Sequence, residues 1–441
     1  MAQMLIIADD LTGAADCGVA CAVHGLRTIV VLGDSECDAN ADVLSLDGDT
    51  RRLSPLMAAS ETTRLLRKHL PNENTLLYKK LDSTLRGNVG AELAATLEAR
   101  RAQARTLERI VVVLAPAFPA TGRTTVNGRQ LLHGKPLEET GTSQNEPTFA
   151  RSDIAAMLSE AHLRPALLGL HLVRHDLPHG ESVALRTAME SMAQHADVLV
   201  CDAETDEDLH RIAEASMVLG CGTVWAGSAG LAAYLPLAAR LASANVYTPE
   251  PPLVAGPALF VVGSGSTVSL GQVEVLASRS DTMVLRIPSE VLMAREQSPR
   301  WLEYMQTLEQ ALRAGSDVAV LPDPVSRLES SMGLQLSAAL AAMVRPSADT
   351  VGALVATGGE TARAIFDAWG IRRLQLIGEV EPGLPVSVTS GWRRELPVLT
   401  KAGGFGEPEA LFRCHQFLRE HKCGDTAPTI QGKPGRSKGL Q

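Results

Sequence analysis

An apolar run, Met4-Leu5-Ile6-Ile7-Ala8, ends on two adjacent carboxylates, Asp9 and Asp10, and is followed by Leu11-Thr12-Gly13-Ala14-Ala15-Asp16. The run reads as a strand and the Ala-rich stretch as a helix. The carboxylates then fall at a strand's carboxyl end, where open α/β sheets bind ligands. Such a pair can act as a general base or grip the hydroxyls of a polyol; the plainer alternative is that Asp10 or Thr12 caps the helix. A denser polar cluster, Tyr78-Lys79-Lys80-Leu81-Asp82-Ser83-Thr84-Leu85-Arg86-Gly87-Asn88, closes another apolar run. Two lysines, an arginine, a carboxylate and two hydroxyls suit an acidic, hydroxyl-rich small molecule, since Arg pairs bidentately with carboxylate or phosphate and Lys acts as a point charge. Asp47-Gly48-Asp49-Thr50-Arg51-Arg52 ends a third run, with Arg51 as a candidate carboxylate clamp ordered by Asp47 or Asp49. In Ala115-Pro116-Ala117-Phe118-Pro119-Ala120-Thr121-Gly122-Arg123, two prolines stiffen a loop from which Arg123 can point inward or simply shape the surface.

The second half carries glycine turns at strand ends: Gly263-Ser264-Gly265-Ser266-Thr267, Thr357-Gly358-Gly359-Glu360-Thr361-Ala362 and Lys401-Ala402-Gly403-Gly404-Phe405-Gly406. Backbone amides exposed by such turns, together with a helix N-terminus, bind phosphate. One turn alone is usually structural; three in one half favour a nucleotide-phosphate site. The first is not a dinucleotide fingerprint, because Val268 stands where the third glycine would be, and no P-loop lysine motif occurs.

These residues need strands and helices to place them. Apolar runs Leu5-Ala8, Thr28-Leu32, Val43-Leu46, Thr75-Tyr78, Ile110-Leu114, Leu167-Leu172, Val198-Cys201 and Thr223-Ala226 alternate with helical patterns over Pro55-Leu70, Val89-Ala104 and Ala184-Ala193. A second series follows: strands Ala258-Val262, Thr282-Ile287, Val318-Leu321, Gly352-Ala356, Leu374-Ile377 and Pro397-Thr400, with helices Trp301-Ala314 and Gly333-Val344. The alternation predicts two α/β domains with mostly parallel sheets. The Pro-rich Tyr247-Thr248-Pro249-Glu250-Pro251-Pro252 marks the boundary, giving an N-terminal domain over 1–246, a linker over 247–257 and a C-terminal domain over 258–423. The polar, aperiodic residues 424–441 are expected to be disordered on composition.

A length of 441 residues with 45% hydrophobic content supports two cores. A net charge of −9 and 3% aromatic residues argue against a nucleic-acid surface, so an anionic ligand must be held by local cations and amides. Seven scattered cysteines without a C-x-x-C pair read as reduced thiols of a cytoplasmic protein. No signal peptide or membrane span is read. A closed homodimer is the base-rate expectation for assembly.

Together the motifs resemble the four-carbon acid sugar kinase family. Ala8-Asp9-Asp10-Leu11-Thr12-Gly13-Ala14, Lys80 to Asn88, Ala115-Pro116-Ala117-Phe118-Pro119 and Asn127-Gly128 carry the resemblance in the first half; Gly263-Ser264, Thr357 to Thr361 and Lys401 to Gly406 carry it in the second. The resemblance spans about residues 4 to 415, and Ala14-Ala15-Asp16-Cys17 looks most like the branch that acts on D-threonate. It implies ATP-dependent phosphorylation of the terminal hydroxyl of a four-carbon sugar acid, D-threonate first, D-erythronate or 3-oxo-tetronate as alternatives. It also implies that Asp9, Arg51, Lys80, Asp82, Ser83 and Thr84 contact the acid, that Ser264, Gly358, Gly359, Glu360, Thr361 and Gly404 contact ATP, and that acid and ATP lie in the cleft between the two domains. Arg86 joins the acid set as a further basic group of the Lys80–Arg86 loop.

Phosphoryl transfer depends on positioning and charge neutralisation. The acid's carboxylate would lie on Arg51 or on the Lys80–Arg86 loop. Asp9 or Asp82 would orient the attacking hydroxyl and accept its proton, with Asp9 preferred for hydroxyl contacts and the base left open between the two. Glycine-loop amides and Mg²⁺ would stabilise the phosphates. Two other classes compete: a haloacid-dehalogenase-type phosphatase, disfavoured because its D-x-D spacing is missing, and a non-catalytic sugar-acid-binding protein, for which three glycine loops would be superfluous.

Overall fold

The computed structural model describes the chain except residues 1, 37–39, 105–108, 141–150, 176–181, 221, 243–249, 251, 324–329 and 423–441. Residues 247–249 and 251 of the expected linker and the whole C-terminal segment 424–441 therefore lie outside the described residues, as do Cys37, Cys221 and Cys423.

Most strands of the first half are short β-branched and Leu-rich runs with every residue buried, such as Met4–Ala8, Thr28–Leu32 and Val43–Asp47. Continuous burial of this kind is what a parallel sheet covered on both faces demands. The first-half strands pair in the order Thr28–Leu32, Val43–Asp47, Met4–Ala8, Leu76–Lys80, Val224–Gly227, Val112–Ala115, Val198–Cys201, Pro165–Leu168, all parallel. In the second half, Met283–Ile287, Val318–Pro322, Ala258–Val262, Ala353–Thr357 and Pro397–Lys401 are parallel neighbours.

The two halves are not separate sheets. Pro397–Lys401 continues through antiparallel Pro385–Thr389 and Arg373–Glu379, and Arg373–Glu379 pairs antiparallel with Thr28–Leu32, with Arg373 opposite Val31. The result is one 15-stranded sheet with a seam at Thr28–Leu32. The helix Leu11–Ala22 lies across that seam. Its Gly18 comes so close to Arg373–Glu379 that an added Cβ would sit 2.5 Å from Leu376 Cδ1. One buried cluster accordingly runs from Leu11, Ala15, Val19 and Val30 to Leu354, Ile365, Phe366 and Leu376.

Three expectations need correction. Leu167–Leu172 is not one strand: Pro165–Leu168 is extended and Leu170–Val173 makes a helical turn. A short unbroken apolar run has no period to distinguish the two. Pro385–Thr389 is a strand that the sequence reading passed over, and so is a small three-stranded antiparallel sheet, Arg123–Val126, Arg129–Leu132 and Lys135–Pro136. Its first turn is Asn127-Gly128, with φ of 52° and 68°, the pattern that marks a two-residue hairpin. Asp202 accepts both turn amides, at 2.8 and 2.9 Å.

Lys79 is the third correction. Adjacent residues of a strand face opposite sides, and Lys79 faces away from the polar loop. Its Nζ is 2.7 Å from Glu92 on the helix Val89–Gln103, with both side chains inaccessible to solvent. Removing one partner of a fully buried pair strands the other charge, at a cost of about 3–5 kcal/mol, whereas replacing both is close to neutral. Glu92→Leu is therefore expected to lower the thermal midpoint far more than Lys79→Met/Glu92→Leu, as measured by calorimetry. Equal midpoints would show that the pair is not desolvated.

Candidate active site

Asp9 and Asp10 divide the work at the first strand end. Asp10 caps the helix Leu11–Ala22: Oδ1 accepts from Gly13 N–H at 2.9 Å and Oδ2 from Thr12 Oγ1 at 2.8 Å. Asp9, 3% exposed, makes a bidentate pair with Arg51, at 2.6 Å to Nε and 3.1 Å to Nη2. The same guanidinium reaches Asp10 at 2.8 Å and Asp82 at 3.8 Å. Burial works against the charge of Arg51, but the three carboxylates outweigh it and hold the group protonated far above its ordinary range. Asp47 does not order Arg51, contrary to the sequence reading; its partner is Arg363, at 2.5 Å. Burial pushes Asp47 up to about 7, with Arg363 opposing.

The loop after Leu76–Lys80 folds over this pair. Leu81 N–H donates to Gly227 O at 2.7 Å, and Leu85, buried, takes a left-handed φ of 56°. A non-glycine residue in that region marks stored strain, which concentrates at ligand sites. Gly87 (φ 88°) backs onto Asp9, whose Oδ2 would lie 3.2 Å from an added Cβ. Asp82 accepts from Arg86 Nε at 2.8 Å and Nη2 at 2.9 Å, from the amides of Thr84 and Arg86 at 3.2 and 3.4 Å, and from Thr84 Oγ1. Burial alone would raise this carboxyl; Arg86, Arg51 and Thr84 prevail and hold it well below the usual range. Gln130, fully buried on the small sheet, ties the loop to its neighbour by donating to Ser83 O at 2.8 Å and Pro116 O at 3.3 Å.

Arg51 and Arg86 are thus occupied, whereas Lys80 makes no hydrogen bond or close ion pair among the described residues. Its Nζ sits beside Gly13, 3.0 Å from where a Cβ would be. Burial disfavours its charge, but Cys17, Asp10, Asp16 and Asp9 around it tip the balance and raise its pKa. Ser83 Oγ likewise has no internal partner. Arg123 points inward: Nη1 donates to Thr121 O at 2.6 Å, Nε is buried without a partner, and burial, partly offset by Asp82, lowers its pKa.

The three glycine turns converge. They leave neighbouring parallel strands, and an added Cβ on Gly403 would lie 2.5 Å from Ser264 Oγ, one on Gly263 1.8 Å from Thr361 Oγ1. Ser266 caps the helix Thr267–Arg279 and donates to Gly403 O at 3.1 Å. Lys401, buried, donates to the carbonyls of Ala402, Gly403 and Phe405 at 2.8, 3.3 and 2.8 Å, which shapes its turn; burial lowers it to about 8. Gly404 is exposed at the tip. Thr361 Oγ1 is engaged with Ser337 Oγ at 2.9 Å, and Glu360 is paired with Arg52. The helix Gly359–Trp369 starts at Gly358 with no side-chain cap. Its first amides therefore stay open to an anion. Gly359 abuts the acidic turn, with Thr12 Oγ1 3.2 Å and Asp10 Oδ2 3.4 Å from the position of an added Cβ. The polar loops of the first half and the glycine turns of the second form one continuous site.

Comparison with known proteins agrees with this division. Residues 4–235 match the family model described as a sugar-binding N-terminal domain, and residues 259–411 match a nucleotide-binding C-terminal domain. The chain belongs to this two-domain sugar-acid kinase family. It is 38% identical to a D-threonate kinase of Cupriavidus necator over 95% of this chain and 98% of the relative, and 31% identical to one of Salmonella typhimurium over 96% and 100%. A D-erythronate kinase of Heliobacterium modesticaldum is 26% identical over 97% and 100%. A solved Haemophilus influenzae protein shares the fold, with a TM-score of 0.71 at 23% identity over 94% of this chain and all of that one.

Some residues that support the site from outside it were not singled out by the sequence. Gln130 and Arg363 have no local motif; they are recognised only by what they touch. Asp16, half-buried near Lys80, is raised to about 6 by burial, with Glu379 and Asp10 adding to the rise. Its native carboxyl holds a proton up to about pH 6, an unfolded one up to about pH 4. Stability should fall as pH rises between those values, because the native state binds more protons there. Asp16→Asn is expected to flatten that segment of a plot of thermal midpoint against pH; an unaltered slope would show Asp16 ionised throughout. Gly263→Ala, by driving a Cβ into Thr361, is expected to weaken nucleotide binding at least about tenfold in folded protein, read by calorimetric titration. Unchanged affinity would separate Thr361 from the nucleotide site.

Proposed function

We propose that this kinase transfers the γ-phosphoryl group of ATP to the terminal hydroxyl of D-threonate, giving 4-phospho-D-threonate. The observation that supports it best is the contact between Gly359 and the Asp10–Thr12 turn: an uncapped helix N-terminus, suited to phosphate, opens on a pocket of carboxylates and an unpartnered lysine. The acid's carboxylate lies on Lys80, with Arg123 and the exposed part of Arg86 nearby, and its hydroxyls on Asp9 and Ser83. Thr84 and Asp82 hold the loop in shape. D-Erythronate and 3-oxo-tetronate, the substrates named for other relatives, differ at one carbon, and discrimination among them follows from which buried polar groups would go unpaired.

Asp9 is the better acceptor for the attacking hydroxyl's proton. Asp82 takes five hydrogen bonds from its own loop, four on Oδ2 and one on Oδ1, whereas Asp9 takes two, one on each oxygen from Arg51, and keeps more acceptor capacity for the substrate. The open amides of Gly359, Glu360 and Thr361, with Gly358, Ser264 and Gly404 alongside, receive the phosphates. Mg²⁺ would be held mainly by the phosphates of the nucleotide and by water. Among the described residues no three carboxylate, histidine or cysteine side chains form a cage, and Mg²⁺ commonly uses one or two carboxylates, water and substrate phosphates. Bound there, it neutralises phosphate charge. Residues 1–246 carry the acid half and 258–423 the nucleotide half.

A coupled ADP-release assay with Mg-ATP should show turnover of D-threonate above L-threonate, D-erythronate and 3-oxo-tetronate. Asp9→Asn is expected to lower kcat by about 10²-fold or more, and Lys80→Met to raise KM for the acid more than it lowers kcat. Near-normal turnover in both Asp9→Asn and Asp82→Asn would refute this placement of the site. Phosphate release without ATP would point to a phosphatase instead.

A further inference from the structure

The loop 47–52 is bonded on two sides. Toward the acid pocket, Arg51 holds both oxygens of Asp9, the amides of Thr50 and Arg51 donate to Asp9 O at 3.0 and 3.2 Å, and Gly48 N–H donates to Ala8 O at 3.0 Å. Toward the nucleotide half, Asp47 pairs with Arg363 and Arg52 pairs with Glu360, both on the helix Gly359–Trp369. Arg363 Nε also holds Asp367 one turn on, at 3.1 Å, so the guanidinium is fixed to the helix rather than free to follow Asp47. Asp47 is 1% exposed, and the other charged groups that act on it, Asp49 and Asp10, are of like sign, so Arg363 supplies its counter-charge.

We propose that Asp47 and Arg363 are positioning residues that make binding of the sugar acid and of the nucleotide cooperative, with loop 47–52 as the connection. This rests on the reading above, in which the acid meets Asp9 and the nucleotide meets the N-terminal turn of Gly359–Trp369. A substrate hydroxyl that engages Asp9 re-sets Arg51, which is chained to Arg52 and, four residues back, to Asp47. A buried, directional ion pair passes that displacement on, because moving either partner away leaves an unmatched charge in a desolvated place. A nucleotide that fixes the helix pre-sets Arg51 by the same contacts, so the effect must be reciprocal.

The test is calorimetric titration of the full chain at pH 8, where Asp47 is ionised, with a non-hydrolysable ATP analogue and Mg²⁺, with and without saturating D-threonate, and the reverse. The wild type is expected to bind each ligand about fivefold or more tightly in the presence of the other, with equal factors in both directions. Arg363→Met and Asp47→Asn should bring the factor close to one while changing the affinity for either ligand alone by less than about threefold. Arg363→Lys, which keeps the charge, should retain part of it. A merely structural role would weaken both ligands without touching the ratio. The combined Asp47→Asn/Arg363→Met variant leaves neither charge unmatched and gives the answer if a single variant does not fold. Full coupling in these variants, or a wild type that binds both ligands independently, overturns the inference and leaves the kinase reading in place. A wild type that binds nucleotide but no four-carbon acid overturns that reading and this one with it.

Discussion

The antiparallel pairing of Thr28–Leu32 with Arg373–Glu379 is the constraint on which the rest depends. It turns two parallel sheets into one and obliges the helix Leu11–Ala22 to pack on both, with Gly18 against Leu376 and Leu11, Ala15 and Val19 in a cluster shared with Ile365 and Phe366. That helix begins at Asp10. Its seating fixes where Asp9 and Asp10 stand relative to the helix Gly359–Trp369, which shares the same cluster and packs directly against it. Acid pocket and nucleotide turns are therefore held in register by buried apolar contacts, which are rigid because protein interiors are close-packed.

On that frame the charges are arranged economically. The chain is net negative, so its overall field does not attract an anionic substrate. The site compensates locally by committing two arginines to its own carboxylates and leaving Lys80 uncommitted. Arg51 orients Asp9, Arg86 keeps Asp82 ionised and oriented, and Asp10, Asp16 and Asp9 keep Lys80 protonated despite burial. These groups are already oriented before substrate arrives. Such preorganisation is the main way a protein stabilises transferred phosphoryl groups. The nucleotide half uses backbone instead. Lys401, at the end of its strand, is spent on three carbonyls of its own turn, and Ser266 and Ser269 hold Gly403 from the other side.

Much of this was determined by the sequence alone. Apolar runs ending in Asp9, Asp47, Lys80, Val262, Thr357 and Lys401 specify strands whose carboxyl ends carry the candidate site residues, and local hydrophobic pattern with turn residues suffices for that. The tertiary structure decided what local pattern cannot carry. Lys79 and Lys80 are neighbours of one residue type, yet the pleat sends one to Glu92 in the core and the other to the site. Asp47 is four residues from Arg51 but pairs with Arg363, 316 positions away. Pro385–Thr389 has no unbroken apolar run, since Ser387 separates its two valines and Pro385 and Thr389 bound them, and becomes a strand only because Arg373–Glu379 and Pro397–Lys401 flank it. Strand and helix are set by periods of two and 3.6 residues within a few turns of chain, whereas the partner of a charge is set by which distant segments the sheet order brings together.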